Sequence, residues 1–109
     1  MLHLTSETQI LLAVKPVDFR KQIDGLTALC EQRLEQNPSS GTLFVFMNRS
    51  RTMVRILCYD TNGYWLATKR LSRGRYKKWP SYPGVTHPVV SWELKKILNK
   101  FIVLREKSV

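Results

Sequence analysis

Residues 52–71 read TMVRILCYDTNGYWLATKRL and contain the strongest fold signal in the chain. Two segments rich in β-branched and aromatic residues flank the tripeptide Thr61-Asn62-Gly63. An Asn-Gly pair between such segments is typical of a tight hairpin, because both central residues of a type I′ turn need a positive φ. The sequence therefore predicts a β-hairpin formed by strands Thr52–Asp60 and Tyr64–Leu71.

The register of this hairpin follows if the Asn-Gly pair occupies the two central turn positions. Arg55 then faces Arg70 across the strands, and the face that carries Val54 and Cys58 is mainly apolar. We expect that apolar face to pack on the main helix. Because directly opposed like charges destabilise a sheet, an Arg55–Arg70 pair would require an acid or a phosphate between the two side chains.

Outside the hairpin, the chain shows two more strand patterns and two helical patterns. Short apolar runs indicate buried strands, whereas apolar residues at steps of three and four indicate amphipathic helices. Asp18 and Ser91 are residue types that favour helix N-caps, and each precedes a helical pattern. The predicted elements are strand Gln9–Val14, helix Phe19–Glu35, central strand Thr42–Met47 and helix Trp92–Lys100. The predicted fold class is α+β, with a small mixed or antiparallel sheet of about four strands, one main helix packed on a face and a short C-terminal helix.

The composition is that of a small, strongly basic globular protein. The chain has 109 residues, of which 43% are hydrophobic and 24% are charged. We expect a single domain spanning residues 1–109, because this length supports one modest hydrophobic core. The formal net charge is +10, from 18 Lys and Arg against 8 Asp and Glu. Such an excess favours contact with nucleic-acid phosphates, and a basic surface that faces only solvent is the alternative.

The two cysteines and the first residues of the chain indicate the compartment. Cys30 and Cys58 lack metal-binding spacing and lie in amphipathic segments, so we expect buried free thiols, which fit a reducing cytoplasm. Residues 1–14 have no basic region typical of a secretory signal, and no apolar run approaches the length of a membrane span. The expectation is a cytoplasmic protein with no membrane partner.

Residues 69–80, KRLSRGRYKKWP, combine six cations with two aromatic residues and no acid. We call this segment the basic strap. Cations interleaved with aromatic rings suit a groove that follows phosphates and stacks bases, whereas core packing is the alternative role for Tyr76 and Trp79. Arginines of the preceding turn and strand extend the candidate surface. The candidate nucleic-acid-binding residues are Arg49, Arg51, Arg55, Lys69, Arg70, Arg73, Arg75, Tyr76, Lys77, Lys78 and Trp79.

The sequence carries no recognisable catalytic pattern. Its acidic residues are scattered, and nothing indicates the carboxylate cluster that metal-dependent nucleases need. His3 and His87 are the only histidines, and neither suggests a nucleophilic triad. No GxxxxGK[ST] phosphate-binding loop occurs. We therefore expect no active site, no metal and no cofactor, with a hidden metal-dependent nuclease as the least favoured alternative.

Several short motifs in a fixed order carry a family resemblance. They are Pro16-Val17-Asp18-Phe19-Arg20-Lys21, Asp24-Gly25-Leu26, residues 40–46, Asn48-Arg49, Lys69-Arg70-Leu71, Gly74-Arg75-Tyr76 and Trp79-Pro80. In this order and spacing the chain resembles the small accessory protein of IS66-type insertion sequences, the family called Orf2 or TnpB of that element. This TnpB is distinct from the RNA-guided nuclease that shares the label.

The resemblance implies a bacterial mobile-element protein that works beside a separate, larger transposase. It implies an accessory role in DNA transposition without cleavage of DNA, and it supplies no catalytic residues. The expected partners are DNA and the transposase and other proteins of the same element. A protein–protein adaptor without direct DNA contact is the alternative. The polar motif positions that join the candidate surface, for DNA or for a partner protein, are Asp18, Arg20, Lys21, Asp24 and Asn48.

Overall fold

The computed structural model of the protein describes residues 7–77, 79–81 and 83–98. Within these residues the chain forms five strands and two helices. In chain order they are β1 (Ile10–Ala13), α1 (Ile23–Gln32), β2 (Leu43–Met47), β3 (Met53–Asp60), β4 (Gly63–Arg70), β5 (Thr86–Val89) and α2 (Ser91–Leu98). The α+β class is confirmed, and the sheet has five strands rather than about four.

The sheet is mixed, with the strand order β4-β3-β2-β1-β5. β1 pairs with β2 in parallel, and the other three pairings are antiparallel. All five residues of β2 are buried. A central strand covered on both faces has no solvent side, which explains its unbroken apolar sequence and confirms the expectation for this segment.

Each face of the sheet supports its own hydrophobic cluster. On one face, which we call the helix face, Leu26 and Cys30 of α1 pack against Phe44 and Leu57 of the sheet. On the opposite face, which we call the strap face, Leu94 of α2 joins residues of β1, β2 and β3 together with Tyr76 and Trp79 of the basic strap. The chain therefore has three layers, with the sheet between α1 and the strap–α2 layer.

The fifth strand, β5, has no strand pattern in the sequence. Its four residues, Thr86–Val89, include Pro88, which removes one backbone donor from any ladder. The strand lies at the edge of the sheet beside β1, where proline is tolerated. Pairing with β1 over a long sequence separation, rather than local preference, makes this segment a strand.

The predicted boundaries of the main helix were too wide. The helix begins at Ile23 rather than Phe19, and Gln22 occupies its N-cap position without a side-chain hydrogen bond. Asp18 is therefore not the N-cap. Its carboxylate instead accepts a hydrogen bond from the backbone N–H of Arg20 at 2.9 Å, which favours a local turn over a helix. At the other end α1 stops at Gln32, three residues before the predicted Glu35.

The hairpin is present, but its register differs by two residues from the prediction. Asp60 pairs with Gly63, so the turn is centred on Thr61 and Asn62, and Thr61 has a φ of +43°. Arg55 consequently faces Thr68 instead of Arg70, and no like-charge pair forms there. A register shift of two residues preserves the alternation of side chains, so the same residues share each face of the hairpin as predicted.

The predicted contact of the hairpin with the main helix was on the wrong face. Val54 and Cys58 lie on the strap face, whereas Leu57 and Leu66 on the other face contact the α1 cluster. Both faces of β3 carry apolar residues, so the alternating pattern alone could not decide which of them α1 would cover.

The C-terminal helix is present, but Ser91 is not its N-cap. α2 begins at Ser91, one residue before the predicted Trp92, and the Glu93 carboxylate accepts a 3.0 Å hydrogen bond from the Val90 N–H, which supports the first turn. Cys30 and Cys58 are free and buried. The predicted inward position of Phe101 lies outside the described residues. Neither of the described helices is long and apolar enough to cross a membrane.

Candidate nucleic-acid interface

The strand directions bring most of the candidate cations to one end of the sheet. β1, β2 and β4 end there and β3 and β5 begin there, as the pairings Met47–Val54 and Met53–Arg70 show. We call this end the basic end. The cations that lie at it, on the loops and the strap, are Lys15, Arg49, Arg51, Arg70, Arg73, Arg75 and Lys77.

Most of the described acidic residues are placed toward the opposite end. Glu7 precedes β1, Asp60 ends β3 at the hairpin turn, and Glu93 lies in the first turn of α2, which follows β5. Glu31, near the end of α1, interacts electrostatically with Tyr64 of β4, which lies beside the hairpin turn. Charges separated in this way give the molecule a positive end, which attracts polyanions over distances longer than any single contact.

Backbone and side-chain hydrogen bonds hold the strap against the basic end. The N–H of Leu71 donates to the carbonyl of Thr52 at 2.9 Å, and the N–H of Tyr76 donates to the carbonyl of Arg51 at 2.8 Å. Further along, the indole N–H of Trp79 donates to the carbonyl of Ala13 at 3.0 Å. The strap thus leaves β4, passes the start of β3 and reaches the end of β1.

The two aromatic residues of the strap are anchors in the core. Tyr76 is only 1% exposed, and burial raises the pKa of its hydroxyl. Trp79 packs against the same cluster through a half-buried ring. In this arrangement the Tyr76 ring offers no face on which a base could stack, so core packing, the alternative weighed from the sequence, describes it.

Five of the candidate cations are exposed and have no ion pair within the part of the chain that the structure describes. We call them the basic surface, and they are Arg49, Arg70, Arg73, Arg75 and Lys77. Lys69 is also exposed, but its ammonium donates to the carbonyl of Leu98 at 2.7 Å, at the C-terminal end of α2. Lys78 lies outside the described residues. Because no described residue forms an ion pair with these five charges, they are available to a bound anion.

Arg51 supports the strap from inside. Its φ of +64° is in the left-handed region, and its carbonyl and guanidinium both face the strap, the latter donating to the carbonyl of Lys77 at 3.3 Å. Asn48, which is buried, fixes the turn before it by accepting hydrogen bonds from the N–H groups of Thr52 and Met53 at 2.9 and 3.0 Å. Both residues therefore position the basic surface.

Arg55 lies on the helix face, away from the strap. Its guanidinium donates to the carbonyls of Phe19 and Lys21 at 2.6 and 2.9 Å and to the hydroxyl of Thr68 at 3.0 Å. The same group stacks 4.6 Å from the centre of the Phe19 ring. These contacts engage the Nε and Nη1 donors of Arg55 and hold its guanidinium on the helix face, away from the basic surface.

Comparison with known proteins places this architecture in a family. The family model described as IS66 Orf2-like protein matches residues 8–106. The chain belongs to the IS66 Orf2-like protein family. An uncharacterized protein of Sinorhizobium fredii, y4hO, is 32% identical over 91% of this chain and 85% of its own length. A second uncharacterized protein of that organism, y4jC, is 35% identical over 72% of this chain and 68% of its own length. No solved structure shows a significant match to the chain.

The first motif of this IS66 Orf2-like chain forms a rigid charged turn. The Arg20 guanidinium contacts the Asp18 carboxylate at 2.6, 2.9 and 3.1 Å. These hydrogen bonds hold the pKa of Asp18 at about 2, well below its usual value. Lys21 is exposed beside this pair, and Asp24 is exposed in the first turn of α1. The charges of Asp18 and Arg20 offset each other, whereas Lys21 forms no ion pair with any described residue.

Sequence reasoning missed the groups that hold the site in place. The carbonyls of Ala13 and Thr52 anchor the strap, and a backbone carbonyl has no signal in the sequence. It also missed a groove beside α1, which is formed by residues of several distant segments. Among the described residues, no group of three or more His, Cys, Asp and Glu side chains is arranged to hold a metal ion.

Proposed function

We propose that this IS66 Orf2-like protein assists DNA transposition by binding DNA through the basic surface. The observation that carries the proposal is that five exposed cations, none of them in an ion pair with a described residue, lie at one end of the sheet. Nucleic-acid phosphates are the polyanion that such a surface neutralises with release of counterions. In this proposal the strand cleavage belongs to the separate transposase of the element.

The strap favours contact with the DNA backbone over reading of the bases. Its described cations project from a segment that is tied to β3 and β1, while its aromatic residues face the core. Cations held in place can neutralise phosphates at a small entropic cost, but the described part of this surface has no exposed helix or aromatic ring that would read base edges. We therefore expect similar affinities for duplexes of unrelated sequence.

Fluorescence anisotropy with the purified full chain tests this proposal. At about 50 mM salt, the chain should bind two labelled duplexes of unrelated sequence, and a variant carrying Arg73→Gln and Arg75→Gln should bind both at least about tenfold more weakly. The matched control is Lys95→Gln with Lys96→Gln, which removes two exposed charges from α2. Absence of binding, or equal weakening by the two variants, would contradict the proposal.

A pull-down from cells that carry the whole element addresses the protein partners. If the chain meets the transposase through DNA, nuclease treatment should release the transposase. If the transposase stays bound after nuclease treatment, the adaptor role replaces or accompanies DNA contact. The Arg73→Gln and Arg75→Gln variant tests whether the basic surface is used in either case, and the response to nuclease decides between capture through DNA and direct contact.

A further inference from the structure

A groove with a volume of about 810 Å³ runs beside α1 on the helix face. Its floor is made by the buried side chains of Ala13, Val17 and Leu34, and one wall is formed by Gly25, Ala28 and Leu29 of α1. Lys15, Pro16, Asp18, Lys21, Gln32, Arg33, Arg49 and Val85 complete the lining. The groove lies between α1 and the segment that follows β1, beside the start of β5.

The rim of the groove is strongly positive. Lys15, Lys21, Arg33 and Arg49 are all exposed, and none of them has an ion pair within the described part of the chain. Asp18 is the one acid in the lining, and its carboxylate is already engaged by Arg20, which is 2.6 Å away. An occupant of the groove therefore meets four cations that no described acidic side chain pairs with.

The floor of the groove distinguishes between two kinds of anionic occupant. A nucleic-acid backbone would place charged phosphates against the floor of the groove, and a single strand would in addition use aromatic rings to stack its bases. The lining contains aliphatic side chains on the floor and no aromatic ring. A protein segment that combines carboxylates with Leu, Ile or Val side chains matches both the rim and the floor.

The ends of this chain do not match the groove. Residues 1–6 contain no acid, and residues 99–109 carry Lys100, Arg105 and Lys107 against the single Glu106. A second copy of a chain with a net charge of +10 would also approach against repulsion. Charge complementarity therefore favours a different, acidic protein.

We infer that the groove beside α1 binds an acidic segment of another protein, with aliphatic side chains on the apolar floor and carboxylates on the cationic rim. This inference goes beyond DNA binding and does not depend on it. The groove lies on the helix face, whereas the strap crosses the other side of the basic end, and Arg49 is the residue that both surfaces share. One molecule could then hold DNA and a protein at the same time.

Selection from a random peptide library displayed on phage identifies the chemistry of the occupant. The full chain is immobilised, and bound phage are eluted after a wash that contains duplex DNA in excess, which blocks the basic surface. We expect enriched peptides that are rich in Asp and Glu and contain Leu, Ile or Val. Enrichment of basic or uncharged peptides, or no enrichment, would overturn the inference.

Binding of one enriched synthetic peptide then locates the site. Amide resonances of Gly25, Ala28 and Leu29 should shift on titration of the full chain. A variant with Lys15→Gln and Arg33→Gln should bind the peptide about tenfold more weakly, since each exposed ion pair is worth up to about 1 kcal/mol. Lys95→Gln with Lys96→Gln is the control with the same loss of charge, and it should leave the peptide affinity unchanged.

A steric variant and a DNA measurement complete the design. Ala28→Trp should fill the groove and abolish peptide binding while the charges stay in place. The Lys15→Gln and Arg33→Gln variant should retain DNA binding, so failure of the groove and failure of the basic surface give different results. Three results would each refute the assignment. They are peptide-induced resonance shifts that occur only in the strap, a peptide affinity that is unchanged in both groove variants, and resonance shifts of groove residues that depend only on the concentration of the chain and not on the peptide.

Discussion

Replacing Arg70 and Arg75 with glutamine should lower both the affinity for duplex DNA and its salt dependence. If each of the five cations of the basic surface neutralises one phosphate, log K should fall with log salt at a slope of about −4.5, because roughly 0.9 counterion is released per phosphate of B-DNA. The variant keeps three of these cations, so its slope should be about −2.7. Both replaced residues are exposed, which makes loss of the fold an improbable cause.

The two slopes predict a large and measurable difference. Between about 50 and 200 mM salt, the affinity should fall about 500-fold for the natural chain and about 40-fold for the variant. Anisotropy titrations at several salt concentrations with one labelled duplex give both slopes. Urea unfolding of each protein verifies that the variant is as stable as the natural chain.

The control for this experiment removes the same charge from another place. Lys95→Gln with Lys96→Gln lowers the net charge by two and should keep a slope of about −4.5. A common slope for all three proteins would refute the reasoning, because the released counterions could not then come from Arg70 and Arg75. Equal reductions in both variants would point to net charge rather than to a defined surface.

Three further predictions concern the residues that hold the site together. Tyr76→Ala should destabilise the chain by about 3–5 kcal/mol in urea unfolding, because it leaves a cavity beneath the strap; a loss below about 1 kcal/mol would contradict the burial seen here. Arg55→Met should cost about 1–3 kcal/mol by leaving two backbone carbonyls before α1 without their donor, and it should leave the slope of DNA affinity against salt unchanged; a changed slope would place Arg55 in the interface. The pKa of Asp18 is lowered from 3.8 to about 2 by Arg20, so its stabilising effect is present above pH 3.8 and is lost as the pH falls toward 2; an NMR titration should show this midpoint, and Arg20→Gln should return it toward 3.8.

The sequence predicted secondary structure correctly where a local pattern was compatible with only one structure. The apolar run that forms β2 has no polar side to expose, so its central position followed directly from composition. The Asn-Gly pair correctly indicated a hairpin, but Thr61 adopted the positive φ that the prediction had assigned to Gly63. A positive φ is unfavourable for a β-branched residue such as Thr61, so local turn preference does not account for the observed register.

The candidate site was predicted as a segment but not as a surface. The sequence identified the strap by its charge, yet it could not separate exposed cations from those that serve as internal donors. Arg55 donates to carbonyls more than thirty positions away, and Trp79 donates to a carbonyl 66 positions away. Such contacts depend on the direction of the strands and on which elements cover each face of the sheet. Neither property can be read from a short segment of sequence.

By itself, the amino-acid sequence determined the α+β class, the hairpin, the central strand, the excess of positive charge and the family. These properties rest on local periodicity, on composition and on the order of motifs, which are all present before the chain folds. The tertiary structure decided that Tyr76 is an anchor, that Arg55 fixes the segment before α1, that residues 86–89 form an edge strand and that a cationic groove opens beside α1. Each of these outcomes depends on which distant groups meet after the sheet has assembled, because burial and hydrogen bonding are settled by those neighbours.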